Sequence, residues 1–273
     1  MNFQKGGKII RQNFIFYLIG FLMIAGMKYF YSKAGSDELR WILGPTTQWV
    51  EILSGIPFQY EHGLGYVNHD FRFLIAPSCS GVQFMIITAA TLIFSFVHRL
   101  EPAPCKANIP CAGGIIPVRI LKGGCWVIIS ALLSYLFTIF VNGLRIIMAI
   151  YLPVYFNAIG IPGGFLSAEQ LHTVIGIVVY FVSLLTIYQL FESFFRKITG
   201  KCSGNVWRRM VRKLMPPTFW YFFIVLGIPF LNRAYQKRNG EFVEFSILIT
   251  VCCTAMLSLY CLIWGVRKIF KGR

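Results

Sequence analysis

Long apolar runs govern what this chain can fold into. A helix needs about 20 mostly apolar residues to cross the hydrocarbon core of a bilayer. Runs that meet or approach that length are Phe14 to Phe30, Val82 to Val97, Trp126 to Val141, Val174 to Phe195 and Phe245 to Val266. A sixth, Thr218 to Leu231, is shorter, but its start extends back through Pro216 and Pro217, and proline is tolerated in a first helical turn. The pattern predicts an all-α, polytopic membrane helix bundle of about six spans. Only 13% of the 273 residues are charged, well under the soluble norm of about 25%.

Three segments between the runs need their own reading. Leu39 to Phe58 holds Thr46, Thr47, Gln48 and Glu51, which are costly at a bilayer centre, and its Trp41 and Trp49 suit an interfacial helix. Gly63 to Ala76 has Gly-x-Gly and alternating aromatics, the pattern of a short hairpin or an extended surface. Gly143 to Asn157 is apolar but too short to cross separately. It is also too long to join Trp126 to Val141 as one straight span. A broken helix or re-entrant segment is expected there, followed by Gly160, Pro162, Gly163 and Gly164. By organisation, residues 1–195 form a membrane core, 196–216 a basic linker and 217–273 a two-helix extension.

The net charge of +16 follows topology rather than nucleic-acid binding, because the basic residues cluster between apolar runs. With a cytoplasmic N-terminus, six spans place most of the 26 Lys and Arg inside, among them Lys5, Lys8, Arg11, Arg99, Arg119, Arg196, Arg208, Arg209 and Arg267. Of the ten acidic residues only Glu101 and Glu192 fall there. The first run lacks a small-x-small cleavage pattern at Met27 to Tyr31 and is expected to be a retained helix. The long segments Ser32 to Ser80 and Asn142 to Leu171 then face the outside.

Among eight cysteines there is no disulfide framework. Cys125, Cys252, Cys253 and Cys261 lie in apolar runs, and Cys105 and Cys111 lack zinc-site spacing. Cys79 differs. It sits in Ala76-Pro77-Ser78-Cys79-Ser80-Gly81, just ahead of the helix expected from Val82. A thiol at a helix N-terminus meets open N–H groups and the positive dipole end, which favour the nucleophilic thiolate. His172 opens the fourth span on the same side, where an imidazole can move protons near neutral pH. Arg145 lies in Val141-Asn142-Gly143-Leu144-Arg145-Ile146, apolar on both sides. A cation so placed is a functional-site candidate that can donate to an oxyanion.

Other polar residues weigh less. Glu61, His62, His69 and Asp70 match no metal-ligand spacing and are expected in a solvated loop. Asn142 is placed to orient Arg145, and Glu169 either orients His172 or caps its helix.

Cys79-x-Gly81 opening a span, Asn142-x-x-Arg145-Ile146, and His172 followed by Gly176 occur in that order. In these motifs the chain resembles the exosortase/archaeosortase family of membrane-embedded sorting proteases. The Pro-Ser-Cys-Ser-Gly surroundings look most like the exosortase K branch. The resemblance covers roughly residues 70–195 and implies a thiol protease or transpeptidase with Cys79 as nucleophile, His172 as acid/base and Arg145 as third catalytic residue. It implies, as partners, secreted proteins with a C-terminal sorting signal made of a short motif, a span and a basic tail. It implies a bacterial cytoplasmic membrane with the active site outside, and no cofactor or resident metal. The two C-terminal runs carry no recognised motif. Two other readings remain at this stage: a small transporter or channel using Arg145 in a broken helix, and a non-catalytic scaffold.

Overall fold

The structure, a computed structural model, describes residues 3–100, 115–158, 168–199, 206–232 and 239–271. The long helices are α1 (Phe3–Tyr31), α3 (Val82–Phe96), α4 (Ile115–Ala158), α5 (Ala168–Thr199), α6 (Val206–Phe222) and α8 (Asn239–Lys271). Between them lie α2 (Arg40–Ser54), as long as α3, and the short α7 (Ile228–Leu231). A π-helical turn, Phe223–Gly227, joins α6 to α7 ahead of Pro229, whose ring cannot continue the regular ladder. Among the described residues, six segments are long and apolar enough to cross a membrane: Arg11–Tyr31, Pro77–Leu100, Ile120–Phe156, Gln170–Ile198, Met210–Leu231 and Gly240–Val266.

The bundle is built around α3. Of its residues only Gln83 and Phe94 are less than fully buried. Helices α1, α4, α5 and α6 all pack on it, and α8 packs on α5. Small residues set the close approaches: a side chain at Gly123 of α4 would strike the Phe16 ring of α1, and one at Gly20 of α1 would lie 2.9 Å from Ile93 of α3. The outward faces keep large apolar side chains, including Phe14, Leu18 and Phe21 on α1, Leu132 and Leu136 on α4 and Leu262 on α8. Such a belt suits hydrocarbon rather than water.

The C-terminal helices belong to the same core. Tyr221, Ile224, Val225, Ile249 and Cys253 are buried in one apolar cluster with Phe84 and Phe181, and Trp220 stacks on Phe94 at 4.6 Å. The expected linker over 196–216 is helical at both ends, because α5 continues to Thr199 and α6 starts at Val206. Far from Cys79, Arg99 Nη1 donates to Glu192 Oε2 at 2.5 Å, with the guanidinium over the Phe96 ring.

Two expectations are corrected. Gly143 to Asn157 is neither a broken helix nor a re-entrant segment: α4 runs unbroken for 44 residues, about 66 Å at 1.5 Å per residue, roughly twice the hydrocarbon thickness. Gly143 interrupts nothing because its missing side chain makes room for the Trp49 indole, and Pro153 falls near the helix end. Nor does α2 lie across the bundle. Trp41 stacks on Tyr135, the Trp49 ring lies tilted against Phe140, and Tyr151 donates to the Ser54 carbonyl at 3.3 Å, so α2 climbs beside α4 in the same direction. Its polar Thr46 and Thr47 are buried against the bundle.

The expected hairpin is part of a three-stranded antiparallel sheet, β1 (Gln59–Glu61), β2 (Gly65–Asn68) and β3 (Phe73–Ile75), with Tyr60 opposite Tyr66 and Val67 opposite Leu74. At Gly65 (φ 124°) a side chain would sit 2.5 Å from the Ile75 carbonyl oxygen, so the β2–β3 pairing needs glycine there. The last strand delivers the chain through Ala76 into the turn that carries Cys79.

Candidate active site

Cys79 closes a short 3₁₀ turn, Pro77–Cys79, in which its N–H donates to the Ala76 carbonyl at 2.8 Å. Gly81 follows in the left-handed region (φ 72°) and starts α3. A Cβ there would lie 3.0 Å from both Asn142 Cγ and Thr138 Cγ2, so α3 and α4 approach closely only because residue 81 is glycine. No side chain caps α3 at Gly81. Apart from a 3.5 Å contact from Val82 N–H to Ser80 Oγ, its leading N–H groups stay open beside the thiol turn.

Three helices bring the predicted trio together. Cys79 Sγ lies 3.9 Å from His172 Nε2. Arg145 Nη2 lies 3.1 Å from the same imidazole nitrogen and 3.4 Å from Nδ1. Cys79 and Arg145 are 5% and 6% exposed, while His172 is half-buried at the start of α5. Guanidinium has no acceptor, so a hydrogen bond from Arg145 to this ring requires a nitrogen with a free lone pair, which neutral imidazole offers and imidazolium does not.

Asn142, placed near Arg145 by its spacing, has a larger part. Its Nδ2 donates to the Cys79 carbonyl oxygen at 2.5 Å, and its Oδ1 accepts from Tyr180 at 2.6 Å and from Arg145 Nη1 at 3.4 Å. Tyr180 also accepts from Arg145 Nη1 at 3.2 Å, and its ring stacks on Phe84 at 4.6 Å. Sequence reasoning missed Tyr180. The available signal was periodicity: His172, Gly176 and Tyr180 recur every fourth residue, one stripe along α5. Gly176 makes the room, since a Cβ there would lie 3.1 Å from Arg145 Nε.

Arg145 is a buried cation in neutral company. No carboxylate pairs with it among the described residues, and its Nε has no hydrogen-bond partner. Burying a charge without a counter-charge is expensive. The arrangement suits a negative charge that forms beside it, on the thiol or on an attacked carbonyl.

The second polar group is separate. His69 Nε2 lies 2.8 Å from Glu61 Oε1, and His62 Nδ1 lies 3.4 Å from Asp37 Oδ2. Tyr60 and the Gly63 N–H both donate to Asp37, which holds its carboxyl below the usual carboxylate range, and the same bond raises the Tyr60 phenol. Asp70 is exposed. Among the described residues no group of three or more His, Cys, Asp or Glu is placed to hold a metal ion. The side chain of Glu169, residues 159–167 with their glycines and Pro162, and Cys105 and Cys111 lie outside the described residues.

The fold and its apolar belt define a multi-pass α-helical membrane protein. Comparison with protein-family models, curated proteins and solved structures finds no match.

Proposed function

We propose that this chain is a membrane-embedded cysteine protease or transpeptidase of the exosortase/archaeosortase type. It cleaves C-terminal sorting signals of secreted proteins at the outer face of a bacterial cytoplasmic membrane, with both termini in the cytoplasm. One observation carries the reading: a thiol, an imidazole and a buried, uncompensated guanidinium, far apart in sequence, meet within hydrogen-bonding reach at one end of the bundle.

In this mechanism His172 Nε2 takes the Cys79 proton. The thiolate attacks the scissile carbonyl, and negative charge moves to the carbonyl oxygen. Arg145 and the open N–H groups leading α3 stabilise that oxyanion. His172 then returns its proton to the leaving amine as the C–N bond breaks, leaving a thioester on Cys79. Water or an acceptor amine attacks the thioester and frees the thiol. The excess of Lys and Arg in the segments between spans supports a cytoplasmic N-terminus.

The test is co-expression with a secreted reporter ending in a short motif, an apolar span and a basic tail. Cleavage lost in Cys79→Ala, Arg145→Ala and His172→Ala supports the reading. Cleavage intact in all three overturns it.

A further inference from the structure

We infer that Asn142 and Tyr180 are the positioning residues of this site: they fix the orientation of the Arg145 guanidinium relative to the Cys79 turn. The inference rests on the thiol-site reading and deepens it.

Donor directions leave one consistent network. Arg145 Nη1 can only donate, so the Tyr180 oxygen accepts from it at 3.2 Å. The Tyr180 hydrogen therefore goes to Asn142 Oδ1 at 2.6 Å. With that oxygen occupied by Tyr180 and Arg145, the amide nitrogen of Asn142 turns the other way, onto the Cys79 carbonyl at 2.5 Å. One amide thus links the backbone of the thiol turn, before α3, to a side chain on α5 and to the cation on α4. Reversing the amide would place an NH₂ against two donors and an oxygen against a carbonyl. The Tyr180 ring is pinned by stacking on Phe84 at 4.6 Å and 10°. Asn142 is fully buried, so water is no substitute partner.

Both residues sit behind Arg145 rather than at the thiol itself, so their effect runs through placement. Tyr180→Phe keeps the stacked ring and removes one acceptor and one donor. Asn142→Asp keeps the shape but replaces the donor to the Cys79 carbonyl with an acceptor.

The experiment follows iodoacetamide alkylation of Cys79 in detergent-purified protein at fixed pH, read by mass spectrometry of the Cys79 peptide, alongside reporter cleavage and thermal melting. Tyr180→Phe is expected to slow alkylation and cleavage about tenfold, with reporter KM and melting close to wild type. Asn142→Asp is expected to slow both further. Wild-type alkylation in both variants overturns the inference, as does a loss confined to melting or to KM. The two claims fail separately. If Cys79→Ala abolishes cleavage while Tyr180→Phe changes neither rate, positioning is wrong and the protease reading stands. If Cys79→Ala leaves cleavage intact, the protease reading is wrong, and alkylation alone decides positioning: slowed in both variants it supports the network, unchanged it overturns it.

Discussion

Arg145 Nη2 lies 3.1 Å from His172 Nε2, the same nitrogen that faces the Cys79 thiol at 3.9 Å. Cation and thiol therefore compete for one lone pair. In the proposed mechanism, when the imidazole takes the thiol proton it stops accepting from Arg145, and that N–H is released where negative charge has just formed. A guanidinium suits this exchange, because its other amino group stays on Tyr180 and Asn142 meanwhile.

Lysine does not replace this group. A single ammonium cannot hold Tyr180 and Asn142 and also address His172 and the oxyanion. Arg145→Lys is expected to lower reporter kcat/KM by at least a hundredfold, about 3 kcal/mol of transition-state stabilisation, with the protein still folded. Cleavage kinetics and a melting curve on the same preparation check this.

Gly176→Ala places a methyl 3.1 Å from Arg145 Nε, a contact tight enough to make the side chain give way. The guanidinium shifts away from His172. Cleavage is expected to fall about tenfold or more, although alanine favours the helix by about 1 kcal/mol. A variant that melts as high as wild type yet cleaves poorly is the predicted signature.

Gly81→Ala asks an L-residue to hold φ 72° against Asn142 and Thr138. The left-handed conformation alone costs about 1–2 kcal/mol, and the contact adds to it. Lower melting together with reduced Cys79 alkylation is expected. Gly55→Ala, also at positive φ (70°) but in open space, is expected to melt lower and keep wild-type alkylation.

Glu192→Gln removes the anion paired with Arg99 at the opposite end of the bundle. Both side chains are mostly buried, so about 1.5–3 kcal/mol of stability is expected to be lost. Alkylation of Cys79 at temperatures below the melt is expected to be unchanged, which separates fold stability from site chemistry.

The Asp37–Tyr60 bond sets a pH window for the sheet. Its Asp37 carboxyl is depressed from an ordinary value of 3.8, first by the Tyr60 hydrogen bond and then by the Gly63 N–H. A depressed acid contributes stability that is present above its unfolded value and lost as pH falls through the folded one. Hydrogen exchange over residues 59–75 is expected to stay slow at neutral pH and to quicken below about pH 3.8. Asp37→Asn is expected to remove that acid transition.

Much of the architecture was legible because membrane spans are written in composition. Five of the six apolar runs lie in long helices, while Thr218 to Leu231 is shared by the end of α6, the π turn and α7. Cys79, Arg145 and His172 stood out from their surroundings, a proline-led helix start, an isolated cation and an imidazole opening a span, together with the charge pattern that puts them on one side. Gly143 to Asn157 was misjudged because its length was measured against the bilayer. Nothing requires a helix to stop at that boundary, and Gly143 owes its identity to the Trp49 indole rather than to a break. The orientation of α2 was hidden for a related reason. Tryptophan marks interfaces in general, whereas Trp41 and Trp49 here pack against Tyr135 and Phe140 of α4. Tyr180 stood inside an apolar run, and only a helical wheel aligned with His172 and Gly176 separates it from the other tyrosines.

The Cys79 turn, the cation and the imidazole come from three different segments, and Cys79 and His172 are 93 positions apart in the chain. During synthesis the thiol emerges long before the imidazole. Under the protease reading proposed above, a nascent chain that has inserted only α1 to α3 holds one of the three groups of the site, and the set is complete only once α5 docks against α3 and α4.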